Sequence, residues 1–262
     1  MFNTVLVHPI FNLLVALYAL VHDFGLAIVL LTIVIRGLLW PLVTRQLHSQ
    51  RALQELQPEL KRIKAQADGD KTLEGKLTME LYKEREINPF ASFLPLLIQL
   101  PIFFALFIVL RNIVKPGEIA SIAYEPVKHL GPIADIIKSH VSFKPTLLGA
   151  INLTKPSPLL AALAAAGQFV QTKQITPKNQ GGDAQAQMMA GMTYVFPALT
   201  FFIGLSLPSA LPLYWFTASA MAVFQQYLVL NRDVRELEAG TPAPAAPSLP
   251  APHRKGKGKR KK

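Results

Sequence analysis

One charged residue lies inside an apolar run and is the first candidate for function. Arg36 stands in the segment 26–40, LAIVLLTIVIRGLLW, which with its flanks is long enough to cross a bilayer. A charged side chain at membrane depth costs about 2.5–3.5 kcal/mol, so it needs a partner charge or a water-filled cavity. An unpaired arginine in mid-span has little structural use, and we therefore expect Arg36 to be functional.

Neutral polar residues, not acids, accompany Arg36 in the apolar segments. No Asp, Glu, Lys or His lies within the five predicted spans given below. Arginine only donates hydrogen bonds, so amide oxygens, hydroxyls and water can satisfy it without neutralising it. The sequence thus predicts a positively charged, water-containing groove. Its candidate residues are Arg36, Thr32, Gln99, Gln168, Gln171, Tyr214, Trp215, Thr217 and Gln225.

Helical spacing relates some of these candidates, but each also has a simpler interpretation. Thr32 lies one turn before Arg36 on the same helix face, and we expect Ile28 and Leu31 to face lipid. The last span carries a stripe at spacings of 3 and 4: Tyr214, Thr217, Met221 and Gln225. Single Gln or Thr residues between membrane helices usually make interhelical hydrogen bonds. The two aromatic candidates can equally be packing residues near the outer interface.

Composition indicates a membrane protein and argues against an enzyme. The chain has 262 residues, of which 51% are hydrophobic and occur in blocks, and its mean hydropathy is +0.31. It has no cysteine, which excludes disulfides, thiolate metal sites and a lipoprotein anchor. The N-terminus lacks the basic region of a signal peptide, so we expect an unprocessed polytopic protein. No catalytic constellation, metal cluster or phosphate-binding loop is apparent, and we predict no enzyme activity and no cofactor.

The alternation of apolar and charged segments predicts an all-α polytopic membrane protein with five transmembrane helices around a hydrophilic groove. Residues 1–23 are interpreted as an interfacial amphipathic helix. The alternative is a first transmembrane helix, for which 13–15 apolar residues are few. The predicted spans are 24–44, 92–111, 157–172, 188–206 and 207–230. Between and after them lie a helical hairpin (45–91), an external loop (112–156), a connector (173–187) and a tail (231–262).

Charge placement predicts the orientation of the chain. The hairpin carries nine Lys and Arg, the tail nine and the connector two, whereas the first 24 residues have none. The positive-inside rule therefore places the N-terminus outside and the C-terminus in the cytoplasm. The external loop has five Lys and departs mildly from this rule. In the hairpin, leucines recur at helical spacing in both arms, and Asp68, Gly69 and Asp70 predict the turn between them.

The tail combines a proline-rich linker (240–252) with a basic end. Its cations are Arg254, Lys255, Lys257, Lys259, Arg260, Lys261 and Lys262. A flexible basic run suits ribosomal RNA at a translating ribosome, which is the interpretation we favour. The alternative is anionic lipid, which attracts such a run by about 1 kcal/mol per Lys or Arg.

Four stretches together resemble the YidC/Oxa/Alb membrane insertases. They are TIVIRGLLWPL (32–42), LQPEL (56–60), INPFASFLPLLIQLPIFFALF (87–107) and LPSALPLYWFTASAMAVFQQYL (207–228). The resemblance implies five core spans after an amphipathic helix, a cytoplasmic hairpin, and a groove with one arginine, which Arg36 matches. Thr32 and Trp215 fall where the family's groove contacts nascent helices. Departures from the family pattern are Ala210, the run 218–220 and Phe196 before Pro197.

The resemblance also implies a function and partners. The function is insertion of newly made membrane proteins at the bacterial inner membrane, without ATP. Its partners are nascent membrane proteins, membrane lipids and the ribosome, and action alone or beside the general secretion channel stays open. The alternative is a small solute transporter or channel, but these usually have intramembrane acids or histidines and repeated halves. A factor that folds membrane proteins without inserting them is a third alternative.

Overall fold

The computed structural model describes residues 1–86, 88, 94–113, 117–139, 144–175 and 184–238. In this part of the chain the fold is helical apart from one two-stranded hairpin. A π-helical segment, Asn3–Val7, comes first. The α-helices are α1 (His8–Val21), α2 (Phe24–Leu38), α3 (Trp40–Glu55), α4 (Gln57–Ala67), α5 (Lys71–Glu84), α6 (Leu94–Ile113), α7 (Glu118–Ile122), α8 (Glu125–Lys128), α9 (Gly131–Ser139), α10 (Pro158–Ile175), α11 (Ala184–Gly204) and α12 (Ala210–Glu238). Strands β1 (Thr146–Leu147) and β2 (Ile151–Asn152) pair antiparallel.

The N-terminal helix lies within the predicted range 1–23 and is longer than the 13–15 apolar residues counted in the sequence. The π-helical segment continues into α1 without a break, and the helix ends where His22 adopts a left-handed conformation at φ 57°. The combined helix Asn3–Val21 has 19 residues and is, within the described ranges, the one single helix long and apolar enough to cross a membrane. Its length is thus compatible with a transmembrane position, and the interfacial position stays a prediction.

The predicted first span bends at Leu39. Helix α2 ends at Leu38, and α3 begins at Trp40 with an angle of 64° between the two helices. Pro41 lies in the first turn of α3, where a backbone N–H would have no partner within the helix, so its missing N–H costs nothing there. Its ring, however, opposes continuation of the preceding helix. Taken as one broken span, α2 and α3 are long and apolar enough to cross a membrane. The apolar α2 therefore leads through a sharp bend into the charged hairpin.

The hairpin turns where the sequence predicts. Asp68 ends α4 in a left-handed conformation, and Gly69 continues the turn at φ 87°. The Asp70 carboxylate then accepts from two backbone N–H groups in the first turn of α5 and caps that helix. Across the two arms, Arg85 Nη2 lies 2.8 Å from Glu59 Oε1. Local caps and one ion pair thus define the hairpin within the described residues.

The apolar core joins α1, α2, α6 and α12 with parts of the loop 112–156. Its largest fully buried apolar side chains are Phe11, Leu14, Val15, Phe24, Ile28, Leu31, Leu106, Ile113, Ile133, Leu153 and Leu211. Burial of Ile133 and Leu153, which belong to the predicted external loop, shows that this loop is packed onto the helices.

Small residues bring α10, α11 and α12 close together. A Cβ added to Gly167 would lie 3.2 Å from Ser219 Cβ, and one added to Gly204 would lie 3.0 Å from Ala161 Cβ. Between helices in lipid, where the hydrophobic effect contributes little, such close approach is what holds helices together. These three helices therefore form a tightly packed unit beside α2 and α6.

The prediction that Ile28 and Leu31 face lipid is wrong. Their side chains are 0% and 1% exposed and belong to the core. The reason is helical spacing, because Ile28 lies one turn before Thr32, which is itself buried, on the face that α1 and α12 cover. The outward-facing apolar side chains of α2 are Leu26, Ile33, Val34 and Leu38.

Candidate functional site

Three helices each contribute one polar side chain to a hydrogen-bonded chain. Arg36 Nη2 of α2 donates to Gln99 Oε1 of α6 over 3.3 Å. Gln99 Nε2 in turn donates to the Tyr214 hydroxyl of α12 over 2.6 Å. The Gln99 amide is thereby oriented, with its oxygen toward the cation and its nitrogen toward the phenol. These are three of the predicted groove residues, and the fold places them in direct contact.

The electrostatics of this polar chain follow from its neutral partners. The ion pairs among the described residues do not include Arg36. Arg36 is half-buried, while Tyr214 is buried. An amide oxygen accepts from a guanidinium without cancelling its charge. The site is a cation held between apolar helices by neutral groups, and it can attract anionic or hydrogen-bond-accepting groups.

The two threonine candidates bond within their own helices. Thr32 Oγ1 donates to the Ile28 carbonyl over 2.7 Å, and Thr217 Oγ1 donates to the Leu213 carbonyl over 2.9 Å. Both side chains are buried. Hydroxyls in helices commonly bond the carbonyl four residues back. Each hydroxyl donor is therefore used locally and is not directed at Arg36.

An aromatic pair lies next to the polar chain. The Trp215 ring stacks on the Phe103 ring, with centroids 5.4 Å apart and planes 7° from parallel. Trp215 follows Tyr214 in α12, and Phe103 lies one turn after Gln99 in α6. Phe103 was not among the predicted residues, although its spacing of four from Gln99 could have indicated it. The stack thus joins α6 and α12 through two apolar rings close in sequence to Gln99 and Tyr214.

Gln225 lies at the bend between α2 and α3. Its Nε2 donates to the Trp40 carbonyl over 3.1 Å, and its side chain is 1% exposed. Nearby in sequence, the Trp40 ring meets Phe224 edge to face at 6.5 Å. On α3 and α12, three buried oxygens have no hydrogen-bond partner among the described residues: Thr44 Oγ1, Gln50 Oε1 and Gln226 Oε1. Gln225 thus ties the base of the hairpin to α12.

The remaining groove candidates lie on α10. Gln168 Oε1 accepts from Ser219 Oγ over 3.4 Å, within the tightly packed unit of α10, α11 and α12. Gln171 is half-buried one turn further along the helix. Neither shares a hydrogen bond with Arg36, Gln99 or Tyr214 in the described part of the chain.

The predicted tail site lies outside the described residues. The structure describes α12 to Glu238, and the seven cations from Arg254 to Lys262 come later. Their binding to ribosome or lipid therefore stays a prediction. Across the ranges that are described, no group of His, Asp and Glu could hold a metal ion.

One group in the predicted external loop and one in the hairpin have shifted pKa values. A hydrogen bond of 2.8 Å from Lys128 Nζ, together with the charge of that lysine, lowers the pKa of Glu125. Burial raises the pKa of Tyr82 in α5. These groups belong to the external loop and to the hairpin, so neither is a member of the polar chain.

Comparisons with known proteins agree on one family. The family model described as "60Kd inner membrane protein" matches residues 16–236. The Fusobacterium nucleatum protein named "Membrane protein insertase YidC" is 35% identical over 214 residues, which cover 81% of this chain and 88% of that protein. The protein of the same name from Endomicrobium trichonymphae is 31% identical, over 85% of this chain and 39% of that protein. The solved structure "Active YidC insertase crystal structure with the first transmembrane domain resolved" is similar with a TM-score of 0.57 and 26% identity, over 87% of this chain and 46% of that one.

The helical fold and the family match define an all-helical inner membrane protein. Within that class, the chain belongs to the YidC family of membrane protein insertases. The resemblance noted in the sequence is thereby confirmed. The chain spans 88% of the Fusobacterium protein but only 39% of the Endomicrobium protein.

Proposed function

We propose that this protein takes newly synthesised membrane proteins from the cytoplasm into the lipid bilayer through a positively charged polar groove. The observation that carries the proposal is the chain of Arg36, Gln99 and Tyr214. Its cation is held by neutral groups, so an acidic or polar client residue can approach Arg36 without displacing a built-in carboxylate. The family's named activity supports the same function.

The energetics of the proposal need no chemical step. Polar and acidic client residues are costly at membrane depth, by several kcal/mol each. A hydrated cationic groove lowers that cost while these residues cross. The client's apolar helix then moves sideways into lipid, driven by about 25 cal/mol for each Å² of apolar surface removed from water. In this scheme Thr32, Thr217, Gln168, Gln171 and Gln225 contribute the groove's polar lining, and the Trp215–Phe103 stack contacts the apolar part of a client.

The proposed topology has five spans, with the N-terminus outside and the C-terminus in the cytoplasm. The spans are α2 with the start of α3, then α6, α10, α11 and α12. One set of contacts supports this arrangement, because the first residues of α2 and of α12 both meet the loop hairpin formed by β1 and β2. Those two helices therefore start on the same side, as the first and the fifth of five spans should.

The cytoplasmic parts receive clients in this proposal. The predicted hairpin carries nine of the twenty Lys and Arg that the positive-inside rule places in the cytoplasm, and we assign to it the first contact with an incoming chain. The basic end of the tail, 253–262, is assigned to ribosomal RNA, with anionic lipid as the competing ligand. Cooperation with the general secretion channel is compatible with these assignments.

The test is insertion by purified protein in liposomes, using two clients that differ only by an acidic residue in the translocated segment. Arg36→Ala should lower insertion of the acidic client by about tenfold, which corresponds to about 1.4 kcal/mol. Arg36→Lys should retain most activity, because among the described residues Arg36 makes one hydrogen bond, to Gln99, and not a bidentate pair that would require the planar guanidinium. Arg111→Ala is the matched control, since Arg111 is an exposed arginine at the far end of α6.

Wild-type insertion of the acidic client by Arg36→Ala would show that the cation has no electrostatic role. Solute flux through the liposomes without insertion of either client would instead support a transporter or channel. A defect shared by Arg36→Ala and Arg111→Ala would mean that net charge, not the groove, is responsible.

A further inference from the structure

The predicted external loop contains a small β-hairpin that cannot be stable on its own. Strands β1 and β2 have two residues each, and Leu148 and Gly149 make the turn with positive φ of 51° and 69°. Isolated two-stranded hairpins are marginally stable at best in water. Its conformation must therefore come from the surfaces on which it is packed. Those surfaces are the first residues of two groove helices.

On α2, the hairpin meets Asp23 and Gly25. One carboxylate oxygen of Asp23 accepts from Leu26 N over 2.9 Å and caps α2, while the other accepts from Leu148 N over 2.7 Å. At Gly25, an added Cβ would lie 2.4 Å from Leu147 Cδ1 and 2.9 Å from Leu147 Cα. Only a residue without a side chain permits this approach. Asp23 and Gly25 thus hold β1 against the start of α2.

On α12, the hairpin and the residues after it satisfy the first turn. Ser209 N donates to the Lys155 carbonyl over 3.0 Å, and Ala210 N donates to the Leu153 carbonyl over 3.1 Å. Ser209 Oγ also lies 3.2 Å from the Asn152 carbonyl, to which it donates. The first N–H groups of a helix have no partner within it. Here the loop provides those partners, and Leu153 is fully buried beside them.

We infer that residues 144–155 form a fixed outer seal of the groove, with Asp23 and Gly25 as its positioning residues. The seal joins the starts of α2 and α12, the two helices that carry Arg36 and Tyr214, and therefore sets their separation at this end. Arg36 lies 11 residues after Gly25, or about 16 Å along the helix. A client can then reach the cation from the opposite end but cannot pass straight through. This inference rests on the proposed function and names what closes the groove.

The first test compares two glycines of the same helix in proteoliposomes. A single cysteine replaces Thr32 as a probe, because the chain has none of its own. Gly25→Ala should displace the seal and raise labelling by an impermeant maleimide, added from the outer side, at least fivefold. Gly37→Ala is the control, because an added Cβ there has nothing within 4 Å and the gain in helix propensity is the same. Equal outer labelling in the two variants would overturn the inference.

A second test works within one chain and does not depend on whether Gly25→Ala folds. Asp23→Cys with Leu148→Cys, in the chain without the probe, replaces the hydrogen bond from Leu148 N to the Asp23 carboxylate by a disulfide between the same two residues. Oxidation to the disulfide should keep proton leak across the liposome membrane at the level of the unsubstituted protein and leave client insertion unchanged. Reduction of the disulfide should raise the leak. Loss of insertion on oxidation would show that the loop must open, and equal leak in both states would show that it seals nothing. In the first test, labelling of the cysteine at position 32 from the inner side reports on the proposed groove independently of the seal.

Discussion

The two ends of the groove helices are held in different ways. At the outer end, side chains and backbone groups of α1, α2 and α12 all bond to the loop that contains β1 and β2. At the other end, the described residues show one hydrogen bond, from Gln225 to the Trp40 carbonyl, between α12 and the base of the hairpin. Buried oxygens of Thr44, Gln50 and Gln226 there lack partners within the same residues.

The difference suggests which end is built to move. Buried polar groups are nearly always paired in rigid parts of a protein, and unpaired ones each cost about 1–3 kcal/mol. The outer end satisfies this requirement with many bonds of short length. The inner end leaves acceptors that a rearranged hairpin or an incoming chain can satisfy. A fixed end at the loop hairpin and an adjustable end at α3 suit the proposed function, in which clients arrive from the side of α3, α4 and α5.

The largest effect in this comparison is expected at Asn12. Its Nδ2 donates to the His8 and Ile122 carbonyls over 2.8 and 3.2 Å, and its Oδ1 accepts from Tyr124 N over 2.5 Å. Asn12→Leu should lower the free energy of unfolding by about 2–4 kcal/mol, because two part-buried backbone groups of the loop lose their partner and the buried Asn12 amide is lost with them. Denaturant titration in detergent measures this change.

Asn3→Leu is the control for Asn12, since Asn3 is exposed on the same N-terminal helix. The control should change stability by less than about 0.5 kcal/mol. A small effect of Asn12→Leu, comparable to that of the control, would mean that the outer end is not the more firmly held one.

A smaller effect is expected at the inner end, where two adjacent glutamines provide a matched pair. Gln225→Leu removes the hydrogen bond to the Trp40 carbonyl and should cost about 0.5–1.5 kcal/mol, whereas Gln226→Leu removes an unpaired oxygen and should cost close to nothing. Spin labels on cysteines at Lys76 and Gln174 should also show a broader distance distribution for Gln225→Leu only. Identical distributions for both variants would remove Gln225 from the attachment of the hairpin.

The sequence predicts elements better than it predicts their partners. Leucine spacing and the Asp68–Asp70 turn indicate α4 and α5, and the motif around Arg36 carries the family resemblance that the comparisons confirm. Such patterns are local and periodic, so one sequence displays them. Asp23 could have been found in the same way, because an aspartate immediately before an apolar helix is a capping signal.

Long-range pairings have no such local signal. Asn12 bonds to residues 110 and 112 positions away, and Gln225 bonds to a carbonyl 185 positions away. The prediction that Ile28 and Leu31 face lipid is wrong for the same reason, since the face that a helix buries depends on which helices cover it. The loop hairpin was also missed, because strands of two residues are too short for alternation to appear.

The smallest effect is expected for the ion pair within the hairpin. Arg85 Nη2 and Glu59 Oε1 are 2.8 Å apart, but both side chains are about a quarter exposed. Water screens such a pair, so Glu59→Gln should cost no more than about 0.5 kcal/mol, and less at high salt. A double-mutant cycle with Arg85→Gln isolates the pair. A coupling above about 2 kcal/mol would show that the hairpin is as firmly held as the outer end.

The bend at Leu39 sets α3 at 64° to α2, so that α3 can act as a lever with its pivot at the bend. Sixteen residues of helix extend about 24 Å, so a rotation of about 10° at the pivot would move the far end by about 4 Å. The bond from Gln225 joins α12 at Trp40, the first residue of that lever, where it resists displacement of the pivot but has almost no leverage against rotation. In the proposed function, a client that touches the tips of α4 and α5 therefore turns α3 about this pivot, while the bond from Gln225 keeps its first residue in place.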